Sequence, residues 1–265
     1  MGLHFYRFSV SWTRLLPNAF PTKVSESGKK YYNNLINYLL EKGIEPIITL
    51  YHWDLPQKLQ DLGGWTNPLI SDWFADYARV VFSLYADRVK TWITLNEPLN
   101  ICDVTYNIGY FAPLILEPEI AGLLCNKHVL VAHAKAWRIY DKEYKHIYHG
   151  TFDFFGVNYY TARLARRATP GDRPGVWPTS GRQEFDIILE VDPSWKIIGT
   201  QISPTYAEGL RKSIAWLKEQ YGDLEFFITE NGCDDAAVND HTRMHYIQSH
   251  LEQARLLIYL LVIDL

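Results

Sequence analysis

The stretch Ile44-Glu45-Pro46-Ile47-Ile48-Thr49-Leu50-Tyr51-His52 predicts a buried β-strand, because its apolar residues follow one another almost without interruption. Runs of this kind are typical of parallel sheets that are covered on both faces. The stretch comes directly after a helical pattern over about 25–42, which ends at Gly43. A helix that leads at once into a buried strand indicates an α/β fold.

Four further strand-like runs alternate with helical patterns along the chain. The runs cover about 5–12, 89–96, 152–160 and 224–229. Further helices are predicted from Asn67, from Pro118 to about Tyr144, from Pro204 to Gly222 and from about Asn239. Strands that alternate with helices form a parallel sheet. We therefore expect one α/β domain over residues 1–265, with a long loop over about 161–203.

Composition excludes several classes of protein. The chain has 265 residues, 48% of them apolar, and a net charge of −4 without any run of Lys or Arg, which argues against a nucleic-acid partner. The apolar run over 256–263 is too short to span a membrane. Aromatic residues make up 15% of the chain, which suits either a sugar-binding cleft or an aromatic-rich core.

Neither a metal nor a cofactor is predicted. The three cysteines, Cys102, Cys125 and Cys233, are widely spaced without a metal-binding pattern, and we expect buried free thiols. No glycine-rich phosphate loop follows any predicted strand, so an open α/β protein that binds a nucleotide is the least favoured alternative. The first residues lack the cationic and apolar regions of a signal peptide.

Two glutamates stand where predicted strands end. Glu97 lies in Thr94-Leu95-Asn96-Glu97-Pro98, and Glu230 lies in Ile228-Thr229-Glu230-Asn231-Gly232. In parallel α/β sheets, functional sites form at the carboxyl ends of the strands. Other polar or aromatic residues are predicted at the same edge: Arg7, His52, Trp53, Asn158, Tyr159 and Tyr160.

A pair of carboxyl groups at one cleft is the basic requirement for hydrolysing a glycosidic bond with retention of configuration. One is a protonated acid and the other an ionised nucleophile, about 5–5.5 Å apart. Glu230 is the better nucleophile candidate if Arg7 lies near it, because a cation favours the charged carboxylate. Glu97 is the better acid candidate, with Asn96 beside it as a donor to a sugar hydroxyl. The structural alternative is that both glutamates are solvated strand ends and the aromatic residues are core.

Five motifs occur in order along the chain. They are Phe5-Tyr6-Arg7-Phe8-Ser9-Val10-Ser11-Trp12, His52-Trp53-Asp54-Leu55-Pro56, Thr94 to Pro98, Phe154-Phe155-Gly156-Val157-Asn158-Tyr159-Tyr160-Thr161, and Ile228 to Gly232. On these motifs the chain resembles glycoside hydrolase family 1, the β-glucosidase family, and within it the insect members, including myrosinase-like enzymes. The resemblance runs from about residue 3 to about residue 255.

The resemblance implies a (β/α)₈ barrel that hydrolyses β-D-glycosides, with a small β-glycoside as the binding partner. It implies that Glu97 is the acid/base and Glu230 the nucleophile. The remaining site residues that it implies contact the sugar or support the nucleophile: Arg7, His52, Trp53, Asn96, Asn158 and Tyr160.

The chain departs from the family pattern because only five of eight barrel strands are recognisable. The first, fifth and last strands are missing, the fifth at a gap near His146-Ile147, so we expect an incomplete, truncated barrel. A sugar site without its floor and one wall is expected to give weak activity or none. The competing hypotheses are therefore a β-glycosidase and a non-catalytic truncated isoform or weak carbohydrate-binding module.

Overall fold

The computed structural model describes residues 2–117, 120–144, 153–173, 181–182, 186–197, 204–234 and 239–263. They belong to two compact units, Met1–Phe152 and Asp153–Leu265. Each unit contains parallel strands and helices, so the predicted α/β class is confirmed. The prediction of one domain over 1–265 stays a prediction.

The first unit contains a parallel sheet whose strands are separated in sequence by helices. The strands are β1 (Phe5–Ser9), β2 (Glu45–Tyr51) and β3 (Thr91–Leu95), in the sheet order β1-β2-β3. The helices are α1 (Trp12–Leu15), α2 (Glu26–Glu41), α3 (Gln57–Gln60), α4 (Ile70–Tyr85), α5 (Pro98–Cys102) and α6 (Ala121–Glu143). A single π-helical turn, Asp103–Asn107, follows α5. The three predicted strands of this region are confirmed.

The central strand β2 lies in the core of this unit, as its apolar run predicts. Ile48 and Leu50 are fully buried. The Trp12 ring stacks on Tyr77 with 4.5 Å between ring centroids, and the Tyr77 hydroxyl donates to the carbonyls of Val10 and Leu50 at 2.9 and 2.8 Å. One buried tyrosine therefore links the carboxyl ends of β1 and β2, where the candidate site lies.

Helix α2 shows how local sequence sets the boundaries of an element. The Ser25 side chain accepts a hydrogen bond of 3.1 Å from the Gly28 amide and caps the first turn. At the other end, Gly43 has φ +68, a conformation that glycine adopts without a steric penalty. The helix therefore begins and ends where the sequence predicts, which places β2 beside β1.

The second unit contains the other two predicted parallel strands. β4 (Phe154–Asn158) pairs with a strand nearer the end of the chain. Among the described residues, five short strands lie between the two in sequence, the first four being β5 (Leu164–Arg167), β6 (Gly181–Arg182), β7 (Ile187–Glu190) and β8 (Lys196–Ile197). They are followed by β9 (Pro204–Thr205), α7 (Ala207–Tyr221), β10 (Glu225–Glu230) and α8 (His241–Ile263). Val157, Tyr159, Leu210 and Ile214 form the core of this unit with Leu257.

A β-bulge interrupts β10 just before its end. Ile228 stands opposite Val157, but the next paired residue is Glu230, which stands opposite Asn158. Thr229 is therefore the extra residue of the bulge. The bulge places Glu230 at the end of the strand pair, next to Tyr159 and Tyr160.

The prediction of a long loop over about 161–203 is partly wrong, because this range contains short paired strands. Strand β7 pairs antiparallel with both β5 and β6, and β8 pairs with β9. The sequence of β5, Leu-Ala-Arg-Arg, lacks the alternation that predicts a strand, so pairing with β7 determines its conformation. The helix predicted to begin at Pro204 begins at Ala207, because Pro204 and Thr205 pair with β8. Pro118, predicted to open α6, lies outside the described residues.

The prediction of buried free thiols is wrong for two of the three cysteines. Cys102 at the end of α5 and Cys125 in α6 form a disulfide, and both are fully buried. Helices α5 and α6 pack together, which brings the two Cα atoms to 5.4 Å, a normal separation for a disulfide. Cys233 takes no part in this disulfide and is half-buried.

The parallel strands described here form a three-stranded and a two-stranded sheet, and no closed eight-stranded barrel is present among them. Within the described ranges, no helix combines the length and hydropathy that crossing a bilayer requires. The same ranges contain no group of three or more His, Cys, Asp and Glu side chains that would hold a metal ion.

Candidate active site

Asn96 is the centre of a hydrogen-bonded cluster at the carboxyl ends of the first unit's strands. It is 3% exposed, and its Oδ1 accepts a hydrogen bond of 2.6 Å from Nη2 of Arg7 on β1. Its Nδ2 lies 3.1 Å from Nε2 of His52, which follows β2. Its backbone amide donates to the Tyr51 carbonyl at 2.9 Å. Three successive strands therefore converge on one amide side chain.

Trp53 joins this cluster through its indole nitrogen. Nε1 donates to the Asn96 carbonyl at 2.9 Å, and the backbone of Trp53 has φ +73. A bulky residue in this region is uncommon and persists when its surroundings fix it. The centroids of the Trp53 ring and the half-exposed Phe111 ring are 5.8 Å apart. An exposed imidazole at His52 and a half-buried indole thus stand side by side, a combination suited to a sugar's hydroxyls and apolar face.

Glu97 follows Asn96 and is half-buried. Its backbone has φ +47 and ψ +66, so the strand ends here, as the following Pro98 predicts. Oε2 accepts a hydrogen bond of 3.2 Å from Nδ2 of Asn100, and the Glu97 carbonyl accepts one from the Ile101 amide at 3.0 Å. The carboxylate therefore has a neutral amide donor beside it on the first turn of α5.

Glu230 ends β10 in the second unit. Its Oε2 accepts a hydrogen bond of 2.6 Å from the Tyr160 hydroxyl, and its carbonyl accepts one of 3.0 Å from the Tyr159 amide. A hydroxyl that donates to a carboxylate favours the ionised form. The Glu230 side chain is half-buried, whereas 44% of the Tyr160 surface is exposed. This carboxylate is therefore oriented by a phenol that solvent can still reach.

The backbone at Tyr159 and Tyr160 is held by two side chains that donate to its carbonyls. The Tyr246 hydroxyl on α8 donates to the Tyr160 carbonyl at 2.6 Å, and Asn231 Nδ2 donates to the Tyr159 carbonyl at 2.6 Å. Burial raises the pKa of Tyr246 to about 12, so its hydroxyl stays protonated and keeps donating. Asn158, opposite Glu230, accepts a hydrogen bond of 2.7 Å from the Thr229 hydroxyl.

The sequence-predicted residues thus fall into two clusters. In the first unit, Arg7, His52, Trp53 and Asn96 are linked by hydrogen bonds or ring contacts, with Glu97 next in the chain. In the second unit, Asn158, Tyr160 and Glu230 surround the end of β10. The suggested pairing of Arg7 with Glu230 stays a prediction.

Several supporting residues are missed by the sequence analysis. Thr49 Oγ1 accepts a hydrogen bond of 3.0 Å from Arg7 Nε, and a lone hydroxyl within an apolar strand is a usable signal for such a role. Burial raises the pKa of the Asp54 carboxyl, although the Ser11 hydroxyl and backbone amides at Trp12 and His52 oppose the shift by hydrogen bonding. Asn100, which bonds Glu97, has no distinguishing sequence signal.

Comparison with known proteins identifies one family along the whole chain. The family model described as "Glycosyl hydrolase family 1" matches residues 1–148 and 138–265. The two matches overlap over residues 138–148, which include the gap predicted near His146-Ile147; these two residues lie outside the described ranges. The family prediction made from the five motifs is confirmed.

Individual relatives agree with the family match. "Myrosinase 1" of Brevicoryne brassicae is 32% identical over 333 alignment positions, covering 95% of this chain and 70% of the relative. The aligned length exceeds the 265 residues here, so the relative contains internal residues without a counterpart. The solved structure "Aphid myrosinase" has a TM-score of 0.88 at 31% identity, over 97% of this chain and 72% of that one. "Family 1 b-glucosidase from Thermotoga maritima" has a TM-score of 0.85 at 28% identity, over 97% and 71%. The likeness to these structures confirms the predicted incomplete (β/α)₈ barrel.

Proposed function

The chain belongs to glycosyl hydrolase family 1, and from that premise we propose that it hydrolyses β-D-glucosides with retention of anomeric configuration. Glu230 is the nucleophile and Glu97 the acid/base. The observation that carries the proposal is the bond from the Tyr160 hydroxyl to Glu230, which holds a strand-end carboxylate in one orientation, as a nucleophile requires.

The two carboxyl groups act in sequence. The Glu230 carboxylate attacks the anomeric carbon and forms a glycosyl-enzyme ester, while the Glu97 carboxyl gives its proton to the departing glycosidic oxygen. Glu97, now ionised, then removes a proton from a water molecule that cleaves the ester and releases the sugar. The Tyr160 hydroxyl keeps Glu230 in one orientation through both steps.

The cluster around Asn96 binds the sugar in this proposal. His52 and Trp53 contact the sugar ring and its hydroxyls, and the Asn96 side-chain amide donates to the 2-hydroxyl. Arg7 supports this role by holding the Asn96 amide oxygen, because a side-chain amide with one end fixed presents its N–H groups in a defined direction. Asn158 lies beside the nucleophile, opposite it in the strand pair.

A non-catalytic carbohydrate-binding protein is the alternative, and one observation favours it. The relative's alignment includes internal residues that this chain lacks, and an active site tolerates small displacements poorly. The expectation of weak activity or none stays a prediction. Such a chain would bind a β-glucoside and release it unchanged.

Hydrolysis of an aryl β-D-glucoside by the purified chain tests the proposal. We expect the β-anomer of glucose as the first product, and loss of turnover to background in Glu230→Gln. Azide added to a Glu230→Gly variant should yield the α-glycosyl azide, and azide added to Glu97→Gly the β-glycosyl azide, because each anion takes the place of the missing carboxylate. Glu225→Gln, which removes an exposed carboxylate at the start of the same strand, is the matched control.

Each outcome separates the two functions. Binding without turnover in the unmodified chain would establish the carbohydrate-binding alternative. Turnover that survives Glu230→Gln, or α-glucose as the first product, would disprove the proposed nucleophile and mechanism.

A further inference from the structure

Helix α6 is attached to the chain on both sides of Glu97. Thr94 stands three residues before Glu97, and its hydroxyl lies 2.8 Å from Nδ1 of His133 on α6. Five residues after Glu97, Cys102 is joined to Cys125. His133 and Cys125 are eight residues apart on α6, a span of about 12 Å along the helix axis. We refer to the Thr94–His133 hydrogen bond and the Cys102–Cys125 disulfide as the two tethers.

The segment between the tethers is not stable by itself. Glu97 has a left-handed backbone conformation, which is strained for a residue other than glycine and persists only when the surroundings enforce it. The helix that follows, α5, has five residues, far fewer than an isolated helix needs. Contacts outside the segment must therefore hold its backbone in place, so that the bond from Asn100 orients the Glu97 carboxylate.

Helix α6 is suited to this task because it is long and well packed. It has 23 residues and packs against α4, α5 and β3. Its buried face includes Ala132 and Ala136, which are fully buried, and the imidazole of His128 lies 2.9 Å from the Trp65 carbonyl. A rigid helix that holds a short segment at both ends limits how far a carboxylate between them can move.

We propose that the two tethers position Glu97 for proton transfer to the leaving group, with Thr94, His133, Cys102 and Cys125 as positioning residues. The inference rests on the proposed acid/base role of Glu97. It concerns the protonation half of the reaction only, because neither tether involves the sugar-binding cluster or Glu230. Loosening a tether therefore reduces acid catalysis without reducing nucleophilic attack.

Two aryl β-D-glucosides distinguish this effect from general damage. A dinitrophenolate departs without a proton, whereas a methoxyphenolate needs one, and general acid catalysis contributes about 10²–10⁴-fold. kcat/KM reports the steps up to formation of the glycosyl-enzyme. For Thr94→Val, and for the double variant Cys102→Ser, Cys125→Ser, we expect kcat/KM to fall at least about 10-fold on the methoxyphenyl glucoside and less than about 2-fold on the dinitrophenyl glucoside.

Two reference variants calibrate the measurement. Glu97→Gln removes the acid itself, so its fall in kcat/KM on the methoxyphenyl glucoside, relative to the dinitrophenyl glucoside, is the largest difference that a tether variant can approach. Thr91→Val removes a hydroxyl from the other end of the same strand, where it donates to Glu45 at 2.9 Å, and should leave the ratio of the two substrates unchanged. Thr94→Val also keeps the test valid if the double cysteine variant fails to fold.

The outcomes separate the inference from the proposed function. If Glu97→Gln slows both substrates equally, the acid/base assignment is wrong. If Glu97→Gln is selective but the tether variants slow both substrates equally or neither, the tether inference is overturned. Hydrogen exchange decides the inference without turnover: loss of either tether should speed exchange at the Asn96 and Ile101 amides and leave β1 and β2 unchanged, and unchanged exchange at those two amides would refute it.

Discussion

Arg7 Nη2 donates to Asn96 Oδ1 at 2.6 Å, across 89 positions of sequence. The same guanidinium donates through Nε to Thr49, so Arg7 on β1 spans the neighbouring β2 and the residue that follows β3. This fork fixes the Asn96 amide with its Nδ2 toward His52. The motif around Arg7 predicts that it lies on the first strand near the site, but no sequence signal identifies Asn96 as its partner.

Replacing this guanidinium by an ammonium tests its planar geometry. Arg7→Lys keeps the charge but cannot hold Thr49 and Asn96 with two fixed N–H groups. We expect kcat/KM for aryl β-glucosides to fall about 10-fold, which corresponds to about 1.4 kcal/mol, mainly through a higher KM. Arg14→Lys, at an exposed cation that lies over the Tyr31 ring, is the control. An unchanged KM in Arg7→Lys would argue against a sugar-positioning role.

The hydroxyl on Tyr160 is the next test. Tyr160→Phe removes a hydrogen bond to a carboxylate, worth about 1.5–3 kcal/mol, and leaves the ring in place. We expect kcat to fall between about 10-fold and 100-fold with little change in melting temperature, because the ring is substantially exposed. Steady-state kinetics and a thermal melt on the same samples give both values. Tyr221→Phe, at another exposed ring of this unit, should change neither.

Tyr77 concerns stability rather than catalysis. Tyr77→Phe leaves the Val10 and Leu50 carbonyls without their buried donor, and an unsatisfied buried group costs about 1–3 kcal/mol. Denaturant unfolding should show a loss of at least that size. Tyr38→Phe, where 59% of the ring is exposed, should be neutral. A neutral Tyr77→Phe would mean that water or another donor replaces the hydroxyl.

His250 predicts how stability depends on pH. Its Nδ1 lies 2.7 Å from the Tyr246 carbonyl, and its buried Nε2 has no hydrogen-bond partner among the described residues. Burial lowers the pKa of His250, because a proton on Nε2 would have no acceptor. The unfolded chain therefore takes up a proton first as pH falls. The stability from neutral His250 is fully present above about pH 6.5 and is lost as pH falls from there toward the folded-state pKa.

The measurement compares unfolding free energies at about pH 7.5 and about pH 5.5. In His250→Phe, which keeps a ring against Tyr246 but cannot titrate, the difference between the two conditions should shrink by up to about 1.4 kcal/mol per pH unit of the window. His245→Phe changes an exposed imidazole on the same helix and should keep the native pH dependence. The same pH dependence in His250→Phe and the unmodified chain would contradict the assignment.

The parallel strands could be predicted from sequence because their signal is local. All five lie inside the predicted ranges or within one residue of them, since apolar runs such as Ile47-Ile48 report burial on both faces. The small antiparallel strands could not, because β5 acquires its conformation from β7, at least 20 residues away. The disulfide was missed for a similar reason: Cys102 and Cys125 are brought together by the packing of α5 on α6.

In the candidate site, too, local features could be predicted from the sequence, whereas contacts between distant residues could not. Motifs identified which side chains lie at strand ends, including Glu97 and Glu230. They did not show which atoms bond, because that depends on register and backbone conformation. The bond from Asn100 to Glu97 follows from a left-handed residue that begins a five-residue helix, and no spacing rule predicts it.

The β-bulge at Thr229 determines which functional group stands opposite Asn158. In a regular ladder, the residue after Ile228 would occupy that position, and a hydroxyl would replace the carboxylate. Deleting Thr229 would restore an uninterrupted ladder while keeping Glu230 in the same place beside Asn158. Substituting Thr229 without deleting it leaves the number of residues in β10, and therefore the bulge, unchanged. The bulge therefore makes position 229 different from the rest of β10: losing a residue there keeps Glu230 opposite Asn158, whereas losing or gaining a residue before Ile228 would move Glu230 out of this pairing.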